Sequence, residues 1–261
     1  MDAQTLHGVT AMMAAGTMAI VFAAAVLRGL TGFGFSLAAV PMLGMLMQPA
    51  QAVPVAMCIV AAGGIFGARR AMTASHWPSI RRIAFAAAAG TPAGVYLLKH
   101  ISPEAARVAI ALFTLAAVFG ILRAGENRRP FGQARAIVYG LIAGLFNGLA
   151  SMSGPPVVAF FMSSSLSREA IRASMLIVFQ ITVFAGLASA LALGLVTRDT
   201  VVLAALSLPG FWIGNLAGAR LFERGSEQTY RRIAIACLIA MAAGSAAPAL
   251  TSLLRGLAAT P

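Results

Sequence analysis

Long apolar stretches run through almost the whole sequence, and the short connections between them carry most of the charge. Only 10% of the residues are charged and the mean hydropathy is +0.88, whereas soluble domains carry about 25% charged residues. Within lipid, only helices and closed barrels satisfy their own backbone hydrogen bonds, and runs of this length span the bilayer as helices. The sequence therefore predicts an all-α polytopic membrane protein that forms a single integral membrane domain over residues 1–261.

Ten apolar elements can be drawn, which predicts about eight to ten membrane helices. Their approximate bounds are 10–28, 31–47, 51–68, 82–98, 105–122, 135–150, 155–165, 170–195, 199–219 and 230–253. Most of them approach the roughly 20 residues that a helix needs to cross the hydrocarbon core. The seventh does not, because about eleven residues at about 1.5 Å each rise only about 16 Å, which is half of a bilayer.

Positive charge predicts the orientation of these elements. Three arginine clusters follow the third, fifth and ninth elements, whereas the other connections carry few basic residues. The clusters are Arg69, Arg70, Arg81 and Arg82; Arg123, Arg128, Arg129 and Arg135; and Arg220, Arg224, Arg231 and Arg232. Because positive loops face the cytoplasm, both termini are expected to be extracytoplasmic. The net charge of +12 then follows from membrane topology, and nucleic acid is not an expected partner.

This orientation requires each half of the chain to open with a helix pair that returns to its starting side. The first and second elements form one pair and the sixth and seventh the other, either as two crossings or as a re-entrant hairpin. The two halves, about 10–123 and 134–254, then form an inverted-topology repeat. A shift of 119 residues places RGLTGFGFSLAAVP (28–41) over NGLASMSGPPVVAF (147–160), which supports the duplication.

A glycine pair recurs at the same place in both halves. The fourth element contains Gly90 and Gly94, and the ninth contains Gly210 and Gly214. This spacing lets helices approach closely, and a serine suited to cap a helix follows each pair. The same order of features in both halves is further support for the repeat.

Each of the two helix pairs contains a break. The segment 154–156 (GPP) cannot continue an incoming helix, because proline lacks the N–H group and clashes with the preceding turn, but it suits the first turn of a new helix. Its counterpart in the first half is the glycine-rich segment 31–36 (TGFGFS). Non-helical backbone persists inside a membrane only where protein or a watery cavity surrounds it. We therefore expect the two breaks to face a polar centre.

Two helix N-termini at a common centre favour an anion, because they present free N–H groups and the positive ends of two dipoles. Paired broken helices in inverted repeats commonly form the substrate sites of transporters. Arg28 supports this prediction. A charge inside an apolar hairpin is costly unless it lines a polar pathway, and a guanidinium group is suited to bind oxyanions. The alternative is that Arg28 ends the first element at the membrane surface and extends to water.

The predicted substrate-binding residues follow the two breaks. They are Arg28, Gly29, Thr31, Gly32, Gly34, Ser36, Asn147, Gly148, Ser151, Ser153, Gly154 and Pro155. Their hydroxyl groups could donate to an oxyanion or bond to carbonyls of their own helices. The secondary candidates are Phe33, Phe35, Gln180 and Arg172. Phe33 and Phe35 could gate the site or pack in the core, and Gln180 could face the cavity or bond another helix. Arg172 could be a ligand or a charge at the membrane edge.

Acidic residues and histidines are absent from the centres of the apolar elements. No mid-membrane carboxylate is available to bind a cation or relay a proton, which argues against a cation or metal permease, an intramembrane protease and a zinc enzyme. Cys58 and Cys237 lie in separate apolar runs, so neither a disulfide nor a metal site is expected. No Walker-type GxxxxGK[ST] motif occurs. We therefore expect no enzyme activity, no metal and no cofactor.

Four motifs give the chain a family resemblance. They are GLTGFGFSLAAVPML (29–43), NGLASMSGPP (147–156), SREAIRASMLIVF (167–179) and GFWIGNLAGARLFER (210–224). Their order and spacing resemble those of the sulfite exporter TauE/SafE family of bacterial membrane permeases. The resemblance implies export of a small sulfur-containing anion, such as sulfite, sulfoacetate or another sulfonate, across the inner (cytoplasmic) membrane. Phe33 and Phe35 depart from the glycine-richest versions of the first motif, which bears on the pocket and on the substrate.

Three functions remain open from the sequence. The first is a secondary transporter in which the two repeats rock around the site by alternating access. The second is a passive anion channel with the same fold, and the third is a non-transporting membrane subunit that scaffolds a partner. A small anion and membrane lipid are the expected partners, and whether the chain forms a homodimer is left open.

Overall fold

The computed structural model describes residues 11–31, 34–123, 132–164 and 166–224, which contain nine α-helices and no strand. The helices are α1 (Ala11–Thr31), α2 (Phe35–Leu46), α3 (Pro49–Ala74), α4 (Trp77–His100), α5 (Pro103–Arg123), α6 (Gln133–Ala150), α7 (Gly154–Met162), α8 (Arg168–Ala192) and α9 (Arg198–Arg224). The prediction of an all-α membrane protein is confirmed. The tenth predicted element, 230–253, lies outside the described residues.

Two helices extend past the apolar elements that predicted them. α3 ends at Ala74 rather than near residue 68, and α4 begins at Trp77 rather than near residue 82. A helix satisfies its backbone hydrogen bonds internally, so it need not stop where the apolar sequence stops. The first arginine cluster therefore lies on helical turns, and only Ser75 and His76 connect the two helices.

Three of the described helices are long and apolar enough to cross a membrane by length and composition alone. They contain the segments Ala11–Leu30 in α1, Glu169–Ala192 in α8 and Arg198–Leu221 in α9. Two shorter apolar segments are Phe35–Leu46 in α2 and Pro49–Gly64 in α3. Crossing segments and broken helices thus occur in one chain, as the sequence predicts.

Both helix breaks occur in the structure. The first lies between α1 and α2, where Gly34 adopts φ +91°, a left-handed conformation that glycine tolerates because it has no Cβ. The second lies between α6 and α7, where Ser151 has φ +56°. There the Ser151 N–H donates to the Asn147 oxygen at 2.7 Å, which satisfies a carbonyl at the end of α6. Each break is thus a defined change of direction.

The short helix after each break folds back along the helix before it. At the end of α7, the Ser163 Oγ accepts a hydrogen bond of 3.2 Å from Arg135 Nη2, near the start of α6. At the end of α2, Leu46 Cδ1 lies 2.9 Å from the position that a Cβ on Gly16 of α1 would occupy. In both helix pairs the short helix therefore forms a hairpin with the helix before it and returns the chain toward the end where the pair began.

Each helix that leads into a break packs in parallel against a helix of the other half of the chain. α1 packs on α9, where a Cβ on Gly218 would overlap the Val26 oxygen, and α6 packs on α4, where a Cβ on Gly148 would overlap the Thr91 oxygen. Glycine permits this backbone approach because it has no side chain. The shift of 119 residues that aligns α1 with α6 also aligns α4 with α9, so the two contacts correspond.

Most of the described arginines lie at one end of the molecule, which we call the arginine end. α3 and α9 end there and α4, α6 and α8 begin there, and the backbone N–H of His76 donates to Ser174 Oγ at 2.9 Å across the start of α4 and α8. The arginines that mark this end include Arg81, Arg82, Arg135, Arg172 and Arg220. The first predicted cluster, and Arg220 and Arg224 of the third, therefore share one end of the fold with the start of α6.

Candidate functional site

The two helix breaks meet in the interior of the fold. Ser36, in the first turn of α2, and Ser151, between α6 and α7, are both buried, and their Oγ atoms lie 3.2 Å apart. A hydroxyl can donate and accept at once, so this hydrogen bond leaves one of the two hydroxyl protons available to another group. The breaks thus form one polar centre.

The second break is fixed to α8 by two further hydrogen bonds. The Thr182 Oγ1 lies 3.2 Å from the Ser153 Oγ, to which it donates. The Asn147 side chain donates from Nδ2 to the Thr182 backbone oxygen at 2.7 Å. Because all three residues are buried, these bonds hold the polar groups of the second break in fixed positions.

A cavity of about 450 Å³ lies beside the joined breaks. Eight of the predicted binding residues line it: Arg28, Gly29, Gly34, Ser36, Asn147, Ser151, Ser153 and Gly154. Three of the secondary candidates line it as well: Phe35, Arg172 and Gln180. The structure therefore brings together residues from both halves of the chain around a single space.

Arg28 lies in the last turn of α1 but does not extend toward the arginine end. Side chains on a helix tilt toward its N-terminus, and α1 begins at the opposite end of the molecule. The Arg28 Cζ lies 5.2 Å from the centroid of the Phe211 ring, and Phe211 is only 1% exposed. This geometry differs from the alternative in which Arg28 reaches water at the membrane surface.

The cavity is electropositive. Among the described residues, no acidic side chain lines it and no carboxylate lies within ion-pair distance of Arg28. The exposed Arg172, in the second turn of α8, lines it toward the arginine end. Two guanidinium groups that have no anionic partner in the described part of the chain make the space suitable for an anion.

The two helix N-termini contribute unequally to this potential. In α2, the first intrahelical bond is the one that the Ala38 N–H donates to the Gly34 oxygen, so the N–H groups of Phe35, Ser36 and Leu37 precede it. In α7, the two prolines of the first turn have no N–H group. α2 is therefore the richer source of backbone donors, although both helix dipoles point their positive ends at the site.

The other predicted residues lie apart from the cavity or outside the description. Gly148 packs on α4 rather than on the cavity, since the space for a Cβ is filled by the Thr91 backbone. Pro155 is buried but does not line the cavity. Gly32 and Phe33 lie outside the described residues, and so does the side chain of Thr31.

Two of the alternatives left open by the sequence occur together at Gln180. Its Nε2 donates to the Ala61 oxygen of α3 at 2.9 Å, and its side chain also lines the cavity. Phe35 likewise both lines the cavity and packs in the core, 2% exposed, with its ring against Phe211. These residues thus connect the cavity to the surrounding helices.

Sequence reasoning missed the contributions of α3 and α9 to the cavity. Gly63 and Gly64 of α3 line it, as do Trp212 and Asn215 of α9. Paired glycines in an apolar helix indicate close packing, so the sequence contained a signal for the first pair. Nothing in the spacing of Trp212 and Asn215 relates them to the breaks.

The chain matches known sequences over nearly its whole length. The family model described as Sulfite exporter TauE/SafE matches residues 17–244. A protein of Cupriavidus necator, named probable sulfite/organosulfonate exporter TauE, is 25% identical over 253 residues, which cover 95% of this chain and 96% of the relative. No solved structure matches the chain significantly. The range matched by the family model includes both breaks and every described residue that lines the cavity.

Proposed function

Because the chain belongs to the sulfite exporter TauE/SafE family, we propose that it is a secondary transporter that exports a small sulfur-containing anion across the cytoplasmic membrane. The substrate class comprises sulfite, sulfoacetate and other sulfonates, and the printed name of the Cupriavidus necator relative covers both sulfite and organosulfonates. In this proposal the substrate binds in the cavity between the two helix breaks.

One observation carries the proposal: Arg28 lines a cavity inside the fold and has no carboxylate partner among the described residues. A guanidinium group with five N–H donors in one plane suits the oxygens of a sulfite or sulfonate group. The hydroxyls of Ser36, Ser151 and Ser153 line the same space and supply further donors. Together they replace the water that the anion loses on binding.

The size and lining of the cavity favour a sulfonate with a carbon body over bare sulfite. About 450 Å³ is within the range of pockets that enclose small organic ligands, whereas sulfite has only four heavy atoms. Leu37, Val60 and Phe179 add apolar surface to the lining. An organic sulfonate would place its charged group at Arg28 and its carbon atoms against these side chains.

The one-sided shape of the cavity supports alternating access rather than a passive channel. Its lining includes Arg172, in the second turn of α8, and Ala219, near the end of α9, both toward the arginine end. Toward the opposite end, Met57 and other side chains are fully buried. In this proposal the cavity opens toward the arginine end and is closed at the other end, a state that a transporter requires and a simple pore does not.

The crossed helix packing supports an inverted repeat as the basis of this mechanism. The broken hairpin of each half packs on the fourth helix of the other half: α1 packs on α9, and α6 packs on α4. Two equivalent arrangements of such halves would open the site to opposite sides in turn. With the arginine end in the cytoplasm, the described state is open inward, ready to take up a substrate for export.

Flux in proteoliposomes tests the proposal. Efflux of labelled sulfoacetate should saturate with concentration and should accelerate when unlabelled sulfoacetate is present on the opposite side. A channel would give flux without this trans-stimulation. Flux equal to that of empty liposomes for sulfite and for every sulfonate would support the scaffold function and contradict the proposal.

A further inference from the structure

The Phe211 ring lies beside the Arg28 side chain. The Arg28 Cζ lies 5.2 Å from the ring centroid, within the distance at which a cation is attracted to the face of an aromatic ring. Phe211 is 1% exposed and lies on α9, a helix that the sequence did not relate to the helix breaks. The site thus includes an aromatic contact in addition to its donors.

The position of the Phe211 ring depends on the absence of a side chain at Gly63. A Cβ added to Gly63 of α3 would overlap three ring atoms of Phe211, with Cζ at 2.7 Å. On another side, the ring meets Phe35 edge to face, with centroids 5.1 Å apart and an interplanar angle of 80°. The space at Gly63 and the contact with Phe35 therefore fix the position of the Phe211 ring next to Arg28.

We propose that Phe211 is a positioning residue for anion binding, which holds the Arg28 guanidinium by its face so that its N–H edges remain available to the substrate. The proposal rests on the proposed function, since it requires Arg28 to bind the transported anion. Gly63 has a supporting part, because the absence of its side chain makes room for the ring.

The chemistry of guanidinium explains why an aromatic partner suits this place. The five N–H donors lie in the plane of the group, whereas a guanidinium that stacks on an aromatic ring contacts it with its face. A carboxylate would stabilise the buried charge by occupying the donor edge, and it would compete with the substrate anion. The Phe211 ring stabilises the charge and leaves the donors for the oxygens of the anion.

Fluorinated phenylalanine at position 211 separates this role from simple packing. Successive fluorine atoms withdraw electron density from the ring face and weaken cation–π attraction, while the ring keeps nearly the same shape. We expect the Kd for sulfoacetate, measured by titration calorimetry on the purified protein, to rise stepwise through the mono-, di- and trifluorinated forms, by about tenfold at the end of the series. Melting temperatures without anion should stay close to that of the wild type.

Ordinary substitutions provide a second test. Phe211→Leu and Gly63→Ala should both weaken sulfoacetate binding by about tenfold, because one removes the ring and the other displaces it. Phe160→Leu is the matched control: Phe160 is also buried, at 2% exposure, but it lies on α7 in a separate core cluster. It should lower the melting temperature without changing the Kd.

The outcomes distinguish this proposal from the proposed function. A constant Kd through the fluorinated series, with binding abolished in Arg28→Ala, would overturn the role of Phe211 and leave the anion site intact. Binding that persists unchanged in Arg28→Ala would overturn the anion site itself, and the role of Phe211 with it.

Discussion

The hydroxyl oxygens of Ser36 and Ser151 lie 3.2 Å apart, although 115 residues separate them in the sequence. Each hydroxyl belongs to a different helix break, so this hydrogen bond joins the two halves of the chain at the polar centre. Both residues are buried and both line the cavity. We expect a motion that opens the cavity to the other side to change the distance between these two residues.

A disulfide between positions 36 and 151 should form and should stop transport. In a variant with Ser36→Cys and Ser151→Cys and with Cys58 and Cys237 replaced by alanine, the two thiols lie close to the separation that a disulfide requires. A protease site between α5 and α6 would reveal the bond, since the two fragments then migrate together on a non-reducing gel. We expect oxidation to abolish flux and reduction to restore it.

Each single-cysteine variant is the control, and it should show neither the cross-link nor loss of flux on oxidation. Complete cross-linking with undiminished flux would show that the two breaks do not separate during transport. That result would contradict alternating access around this contact.

Gly148→Ala should destabilise the protein, because the new Cβ would overlap the Thr91 backbone oxygen of α4. Overpacking of this kind costs about 1–3 kcal/mol and should lower the melting temperature in detergent. Gly44→Ala is the matched control, since Gly44 is also helical but has no atom within 4 Å of the Cβ position. Alanine favours a helix over glycine by about 1 kcal/mol, so that variant should melt no lower than the wild type. Equal melting temperatures for Gly148→Ala and the wild type would contradict the close packing of α4 and α6.

Arg172→Ala should raise the KM for anion uptake into inside-out vesicles, where the cytoplasmic side faces the medium. Arg172 is exposed and lines the cavity toward the arginine end, so its charge attracts anions that approach from that side. The effect should be largest at low ionic strength, since salt screens charges that face water.

The matched control for this variant is Arg198→Ala. Arg198 is also exposed and also begins a helix, but at the opposite end of the molecule. It should leave the KM in inside-out vesicles unchanged. An effect of Arg198→Ala in place of Arg172→Ala would reverse the proposed orientation of the protein in the membrane.

Local chemistry explains what the sequence predicted well. Apolar length predicted the helices, and glycine and proline predicted the breaks, because a residue such as Pro155 acts on its own turn whatever surrounds it. The relationship between the two halves brought Arg28 and Asn147 into one candidate site. All of these inferences use short segments or a single comparison within the chain.

The parts that the sequence did not predict depend on which helices pack together. Trp212 lines the cavity because α9 lies against α1 and α3, and Gly63 matters because it leaves room for the Phe211 ring. Gly29 and Gly148, which align in the two halves, pack on α9 and α4 respectively, but only Gly29 also lines the cavity. A pattern within one helix does not reveal the identity of its neighbour, so such contacts require the three-dimensional structure.

The most direct test of the anion site compares the melting temperature of the purified wild type with that of Arg28→Ala. The wild type and Arg28→Ala would be compared in sulfite, sulfoacetate, taurine, sulfate, chloride and nickel. A ligand at 100 times its Kd stabilises the folded state by about 2.7 kcal/mol, so we expect a sulfur oxyanion to raise the melting temperature of the wild type and to leave Arg28→Ala unchanged. An equal rise in both proteins, or no rise with any anion in the wild type, would contradict the binding of the substrate by Arg28 between the two broken helices.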